Sequence, residues 1–301
     1  MSEPSQSTQR DRQKALRAGF LALADSWIAR AVDDPGRAWF RGALDDVSRA
    51  SNDRPLGIAI GLAPRRLGKA GLSLGADDLD AAARLRNGLD PAGWSVDQLA
   101  RIALMVASYR DDAGFVASLD RFCATAEVNE LIALYRGFPL YPAAALIEPR
   151  AREAIRSGMK PVFEAVAHGN PYPGEVFAEQ DWNQMVVKAI FIGASLWPIQ
   201  GLDRRGNPEL ARMLVALVQE RAAAGRSISS EVWRCIAPYP DREGMSALTR
   251  VWEEGVENDR LAIALALRAA PEVEADLPFG HQLSEVRGTL DAGNIAWRDL
   301  A

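Results

Sequence analysis

The chain has 301 residues, 48% of them hydrophobic and 25% charged, which supplies one large core or two ordinary ones and fits a water-soluble protein. Lys and Arg number 35 against 40 Asp and Glu, a net charge of −5, and the bases are interleaved with acids, so no phosphate-neutralising face and no nucleic-acid partner is expected. No segment has the apolar core of a signal peptide or the roughly 20 apolar residues that span a bilayer, which points to a cytoplasmic protein that is not membrane-spanning.

The first ten residues read as disordered, and residues 11–301 as a single helical array. Residues 11–33 place Leu16, Phe20, Leu23, Trp27 and Ala31 at three- and four-residue steps. Opposite that apolar stripe lie Arg12, Arg17, Asp25 and Arg30, so the segment forms a helix. Helices of the same pattern are expected over 37–50, 77–87, 113–125, 127–136 and 143–157. The glycine-rich stretch PLGIAIGLAPRRLGKAGLSLG contains neither GxGxxG nor GxxxxGK[ST]. It reads as a short buried helix and a basic turn of Arg65, Arg66 and Lys69, with an anion site at a helix end as the lesser reading.

Ser95 precedes VDQLARIALMVAS with Gln98 three residues on, the spacing of a capping box. The run VVKAIFI, 186–192, has the β-branching of a buried strand, but a single strand has nothing to pair with. Asp181 can cap the amides that follow, so Asp181–Gly193 is read as a helix. Asn207-Pro208-Glu209 supplies a cap, a first-turn proline and an acid at the positive end of the dipole. The stripe that follows is Leu210, Met213, Leu214, Leu217 and Val218, and Gly225 is placed to end it. Further helices are expected over 242–256, 258–270 and 281–291. Nothing alternates with period two for long and no repeat period is fixed. The expected architecture is therefore all-α, an irregular α-α superhelix of stacked, HEAT-like helical hairpins.

Chemistry-bearing motifs are few. Cys123 and Cys235 are far apart in apolar helical stretches, so a disulfide framework or zinc cluster is not expected. HExxH and CxxC do not occur, and GLSLG at 71–75 has the letters of GxSxG without being read as a nucleophile elbow; no cofactor is expected. His281 stands alone in a helix start. Trp182, Trp197, Trp233 and Trp252 sit among aliphatic residues at helical spacing and read as core. The exception is HGNPYPGEVFAEQDWNQMVVKAIFIG, 168–193, which puts a histidine, prolines and carboxylates into a turn before an apolar helix. At about 100° per residue, Asp181, Gln184 and Lys188 share one polar stripe. Asn183 points to the opposite, apolar side, where an unpaired amide costs about 1–3 kcal/mol, so it is expected to tie the helix to the backbone of the turn 169–174. His168 with Glu175 and Asp181 is the one conceivable metal set, and its irregular spacing makes a metal unexpected.

The same block, with YRGFPLYPAAALIEPRAREAIRSG upstream and GLDRRGNPELARMLVALVQERAAAGR downstream, resembles the central part of the EboA family of bacterial metabolite traffic proteins, over about residues 135–226. The resemblance implies a place in an operon implicated in moving secondary metabolites toward the periplasm. Its implied partners are a UbiA-like membrane prenyltransferase, a TatD-like hydrolase and a small-molecule metabolite. It implies no reaction and no catalytic residue set.

Two functions follow from these residues. In the first, the corner is structural and the chain is a non-catalytic helical adaptor or binding protein in metabolite traffic and export. In the second, it is an enzyme acting on a polar, phosphorylated or cyclitol-like small molecule. His168 would then serve as acid/base with Asp181 and Lys188 beside it, and Arg136, Tyr172, Glu175, Asn183, Asp203, Arg204 and Arg205 would bind the ligand. The first reading is preferred, because buried side chains tied to backbone ordinarily serve structure.

Overall fold

The computed structural model describes residues 6–301, with side chains from Arg10 onward. Among these residues every regular element is helical and no sheet forms; an isolated bridge pairs Gly71 with Ser95. No described helix is long and apolar enough to cross a membrane. The chain divides into two compact units, one ending at Val176 and one running from Phe177 to Ala301.

The first unit contains α1 (Gln6–Ala31), α2 (Asp34–Arg49), α3 (Arg54–Leu67), α4 (Ala76–Leu85), α5 (Val96–Ala107), α6 (Asp112–Thr125), α7 (Val128–Arg136), α8 (Glu148–Ile155), α9 (Lys160–Ala167) and α10 (Tyr172–Val176). Helix α1 begins at Gln6, within the ten residues expected to be disordered, because residues 6–10 hold neither glycine nor proline to stop it; residues 1–5 lie outside the described ones. Helix α5 is buried on all sides, from Val96 to Val106 apart from Gln98, and packs against α1, α2, α3 and α7. An all-round apolar helix can only be a central one. Its single cation, Arg101, donates to Asp97 at 2.6 Å and to the Ile60 carbonyl of α3 at 3.2 Å, and pairs with Glu130 of α7 at 3.6 Å. At its start the Ser95 amide donates to Gln98 at 3.1 Å, as the capping-box spacing requires.

Several elements depart from the sequence reading: α10 forms inside the turn expected at 169–174, and Arg65 and Arg66 lie in the last turn of α3 and not in a basic turn after it. Helix α8 starts at Glu148, not near 143, because Pro149 suits a first turn and would break the interior of a longer helix; Ala143 before it takes a left-handed φ of 58°. Helix α9 went unexpected, since its eight residues are too short to show a period.

The second unit contains α11 (Glu179–Phe191), α12 (Pro208–Ala223), α13 (Trp233–Ile236), α14 (Arg242–Glu254), α15 (Glu257–Ala266), α16 (Pro271–Glu274) and α17 (Leu283–Gly293). The VVKAIFI run is helical through Phe191, but Asp181 does not cap it: α11 starts two residues earlier, with Ala178 at its N-cap, and Asp181 lies within its first turn. Asn207 caps α12 by accepting from the Leu210 amide at 2.9 Å, and Gly225 takes φ 64° past its end. Buried α15 is central here, against α13, α14 and α17. Trp182 and Trp233 are fully buried, and Trp252 stacks on Phe279 with centroids 4.3 Å apart. Trp197 is not core: it is 47% exposed. The wholly buried carboxylate of Glu231 accepts the amides of Leu196 at 2.9 Å and Trp197 at 2.5 Å. These bonds fix the backbone in a path that turns the indole outward.

Candidate functional site

In the first unit, the segment after α7 builds one wall of a cleft of about 830 Å³. Gly137 ends α7, a short 3-10 turn carries Phe138–Leu140, and Tyr141 follows. The tyrosine ring packs edge-on to Phe115 at 5.4 Å and to Phe138 at 6.2 Å. Its hydroxyl is buried against Gly137, where any Cβ would overlap it, and has no hydrogen-bond partner. Burial pushes the phenol well above its ordinary value, so it stays a neutral donor in search of an acceptor. The wall continues through Ala143–Leu146, with Leu146 55% exposed.

Polar groups of the cleft come from four other places in the unit. Arg86, just past α4, grips Glu175 of α10 with both terminal nitrogens, Nη1 at 2.9 Å from Oε1, and donates Nε to the Pro139 carbonyl at 3.0 Å. Asp112 accepts from the Tyr109 hydroxyl at 2.8 Å. From α1, Arg10 and Arg12 reach the rim and have no ion-pair partner among the described residues. The cleft thus offers an apolar wall, one buried donor and two cations with no ion-pair partner among the described residues, with both its carboxylates engaged.

The sequence-selected residues separate into these partnerships. Tyr172 is buried, and its hydroxyl donates to the Ala144 carbonyl at 2.5 Å, bracing the cleft wall from behind. Glu175 lines the cleft in the Arg86 pair. Arg136 donates to the Gly93 carbonyl at 2.8 Å and to Gln98 at 2.5 Å; burial lowers its pKa. His168 is half-buried at the C-terminal cap of α9, its amide bonded to the Glu164 carbonyl at 2.9 Å. These four belong to the first unit.

The others belong to the second. Asp181 and Lys188 lie half-buried on α11, and desolvation lowers the Lys188 pKa. Asp203 takes a bidentate pair with Arg234, at 2.6 and 2.8 Å, and Arg204 is exposed. Arg205 lies over the Trp182 ring at 4.8 Å and donates to the Phe177 carbonyl at 2.8 Å. Asn183 is buried as its face requires, but its partner is not the turn. It exchanges bonds with Asn207, the cap of α12. The turn is tied by Asn170 instead: its amide nitrogen donates to the carbonyls of Tyr135 and Ala165, both at 3.3 Å, and its oxygen accepts the Tyr172 amide at 3.0 Å. The asparagine that ties the turn is thus Asn170 and not Asn183, and the positive φ falls on Gly169 and not on Gly174.

The family model described as metabolite traffic protein EboA matches residues 20–237. The chain belongs to the EboA family. No curated protein and no solved structure matches it. The EboA match takes in the whole Tyr141 wall and the Arg86–Glu175 pair, while the cationic rim of α1 lies ahead of it. Tyr141, Arg86 and the α1 arginines escaped the sequence reading. Gly137 four residues before Tyr141 was the one local sign, since such spacing permits a large ring to fold back on bare backbone.

Proposed function

We propose that this chain is a non-catalytic binding protein that holds a small metabolite in the first-unit cleft and passes it on in a metabolite-traffic pathway, acting from the cytoplasm in secondary-metabolite export. What carries the reading is the state of the cleft's polar groups. A general acid or base needs a proton-carrying atom free to reach the substrate. Here the carboxylates are held by Arg86 and Tyr109, the phenol is pushed far up, and the remaining charges are guanidinium groups. Such a set binds and orients. The fitting cargo is amphipathic: an apolar body against Ala143–Leu146, an oxygen accepting from Tyr141, and an anionic group at Arg10 and Arg12. The UbiA-like and TatD-like proteins implied by the family resemblance are the recipients this reading assigns.

The test is native mass spectrometry of protein purified from its own host, beside an Ala145→Trp variant that fills the cleft from an exposed position. The parent should retain a small molecule, and the variant should lose it and fail to restore export in a deletion strain while melting as the parent does. Export restored in full by the filled cleft would sink the proposal.

A further inference from the structure

The second unit holds a smaller pocket of about 310 Å³ that the proposed function leaves unused. At its wall stands Arg234 of α13, its side chain only 10% exposed. Nε and Nη2 meet the two oxygens of Asp203 at 2.6 and 2.8 Å. This side-on fork balances the guanidinium charge and leaves Nη1 on the opposite edge of the plane. Nη1 is buried and has no acceptor. Trp297 lies against the same guanidinium, 5.1 Å from ring centroid to Cζ. Tyr239 makes a second aromatic wall, seated on Gly206, where a Cβ would come within 2.7 Å of the ring. Of the other charged groups, Arg268 is paired with Asp291 at 2.6 Å, and Glu272 is exposed.

An unfilled donor on a guanidinium already paired with a carboxylate needs an acceptor, not a second counter-ion, and Glu272 disfavours an anion. The two rings favour a flat body. We infer that this pocket binds a neutral, flat, carbonyl-bearing small molecule of the aryl carboxamide class, its oxygen accepting from Nη1 of Arg234 and its ring packed against Tyr239 and Trp297. Arg268 and Trp297 lie beyond residue 237, where the family match ends.

The experiment titrates the full chain with benzamide and with benzoate, following saturation-transfer NMR and calorimetry, and repeats both on Arg234→Lys and Trp297→Ala. Benzamide should bind saturably and more tightly than benzoate, and each substitution should weaken it about tenfold or more, since an ammonium at that position keeps the charge for Asp203 and loses the fork. Thermal melting of each variant shows that it folds; should Arg234→Lys fail to fold, Trp297→Ala, on the half-buried C-terminal turn, decides alone. Absence of saturable benzamide binding, benzoate binding as tightly, or a folded variant that binds like the parent would overturn the assignment.

Discussion

Asn183 of α11 and Asn207 at the start of α12 exchange side-chain hydrogen bonds, Nδ2 to Oδ1 at 3.1 Å one way and 2.9 Å the other. The same Asn207 oxygen accepts the Leu210 amide, so the pair links a buried helix face to a helix cap. Asn183→Ala should cost about 1–3 kcal/mol by leaving Asn207 half-paired. Asn183→Asp should be no milder, because it sets a carboxylate against the Asn207 oxygen in the core. Denaturant titrations with both variants within about 0.5 kcal/mol of the parent, the range of surface changes, would refute this account.

Asn170 holds the HGNPYP corner with three bonds, two given and one accepted. Asn170→Asp keeps the acceptor for Tyr172 and turns a carboxylate toward two carbonyls. The new carboxyl should have a folded pKa above its unfolded value, so the variant's deficit is smallest in acid and grows as pH rises through that folded value. Denaturation at pH 4 and at pH 7 should therefore differ more for this variant than for the parent; equal deficits at the two pH values would count against the arrangement.

Tyr141→Phe reverses the usual cost of truncating a buried tyrosine. The hydroxyl has no partner, and an unsatisfied buried group costs about 1–3 kcal/mol, so the unliganded variant should melt at or above the parent temperature. Gly137→Ala should be destabilised by about 1–3 kcal/mol, since its methyl group overlaps that hydroxyl. Scanning calorimetry of the two proteins checks both signs. A clear fall in melting temperature for Tyr141→Phe would mean the hydroxyl is bonded after all.

Burial pushes the thiols of Cys123 and Cys235 up to about 12, against an ordinary value of about 8.5. Because the folded pKa is the higher, the stabilisation is complete below about pH 8.5 and is lost as pH climbs toward the folded value. Stability should be level through neutrality and decline above about pH 9, less steeply in Cys235→Ala. At pH 8 neither thiol should react with an aromatic disulfide until the chain unfolds. Labelling of either at the rate of a free cysteine in the native protein would contradict this.

Helix position was legible wherever a stripe ran for three turns or a cap stood at its head, as in α1, α5 and α12. It failed where local chemistry was ambiguous or brief, as in α9 and in the turn ahead of α8. The face of Asn183 could be computed from its angle on the helix, but its partner 24 residues away could not, because periodicity reports direction and says nothing about what a neighbouring segment brings. Trp197 misled for a related reason: its apolar neighbours were visible, whereas the buried Glu231 that sets its backbone is distant in sequence. The cleft was the least legible of all. Arg86 and Glu175 lie 89 residues apart, and Tyr141 matters through a bond it does not make.

Helix α5 is buried from Val96 to Val106 but for Gln98, and its one cation is shared among three segments of the first unit. Over evolutionary time such an element cannot drift by itself: a larger side chain there must be answered by a smaller one on α1, α2, α3 or α7. Substitutions along 96–106 should therefore arrive in compensating pairs, while the cationic turns of α1, outside the family match, remain open to change one residue at a time.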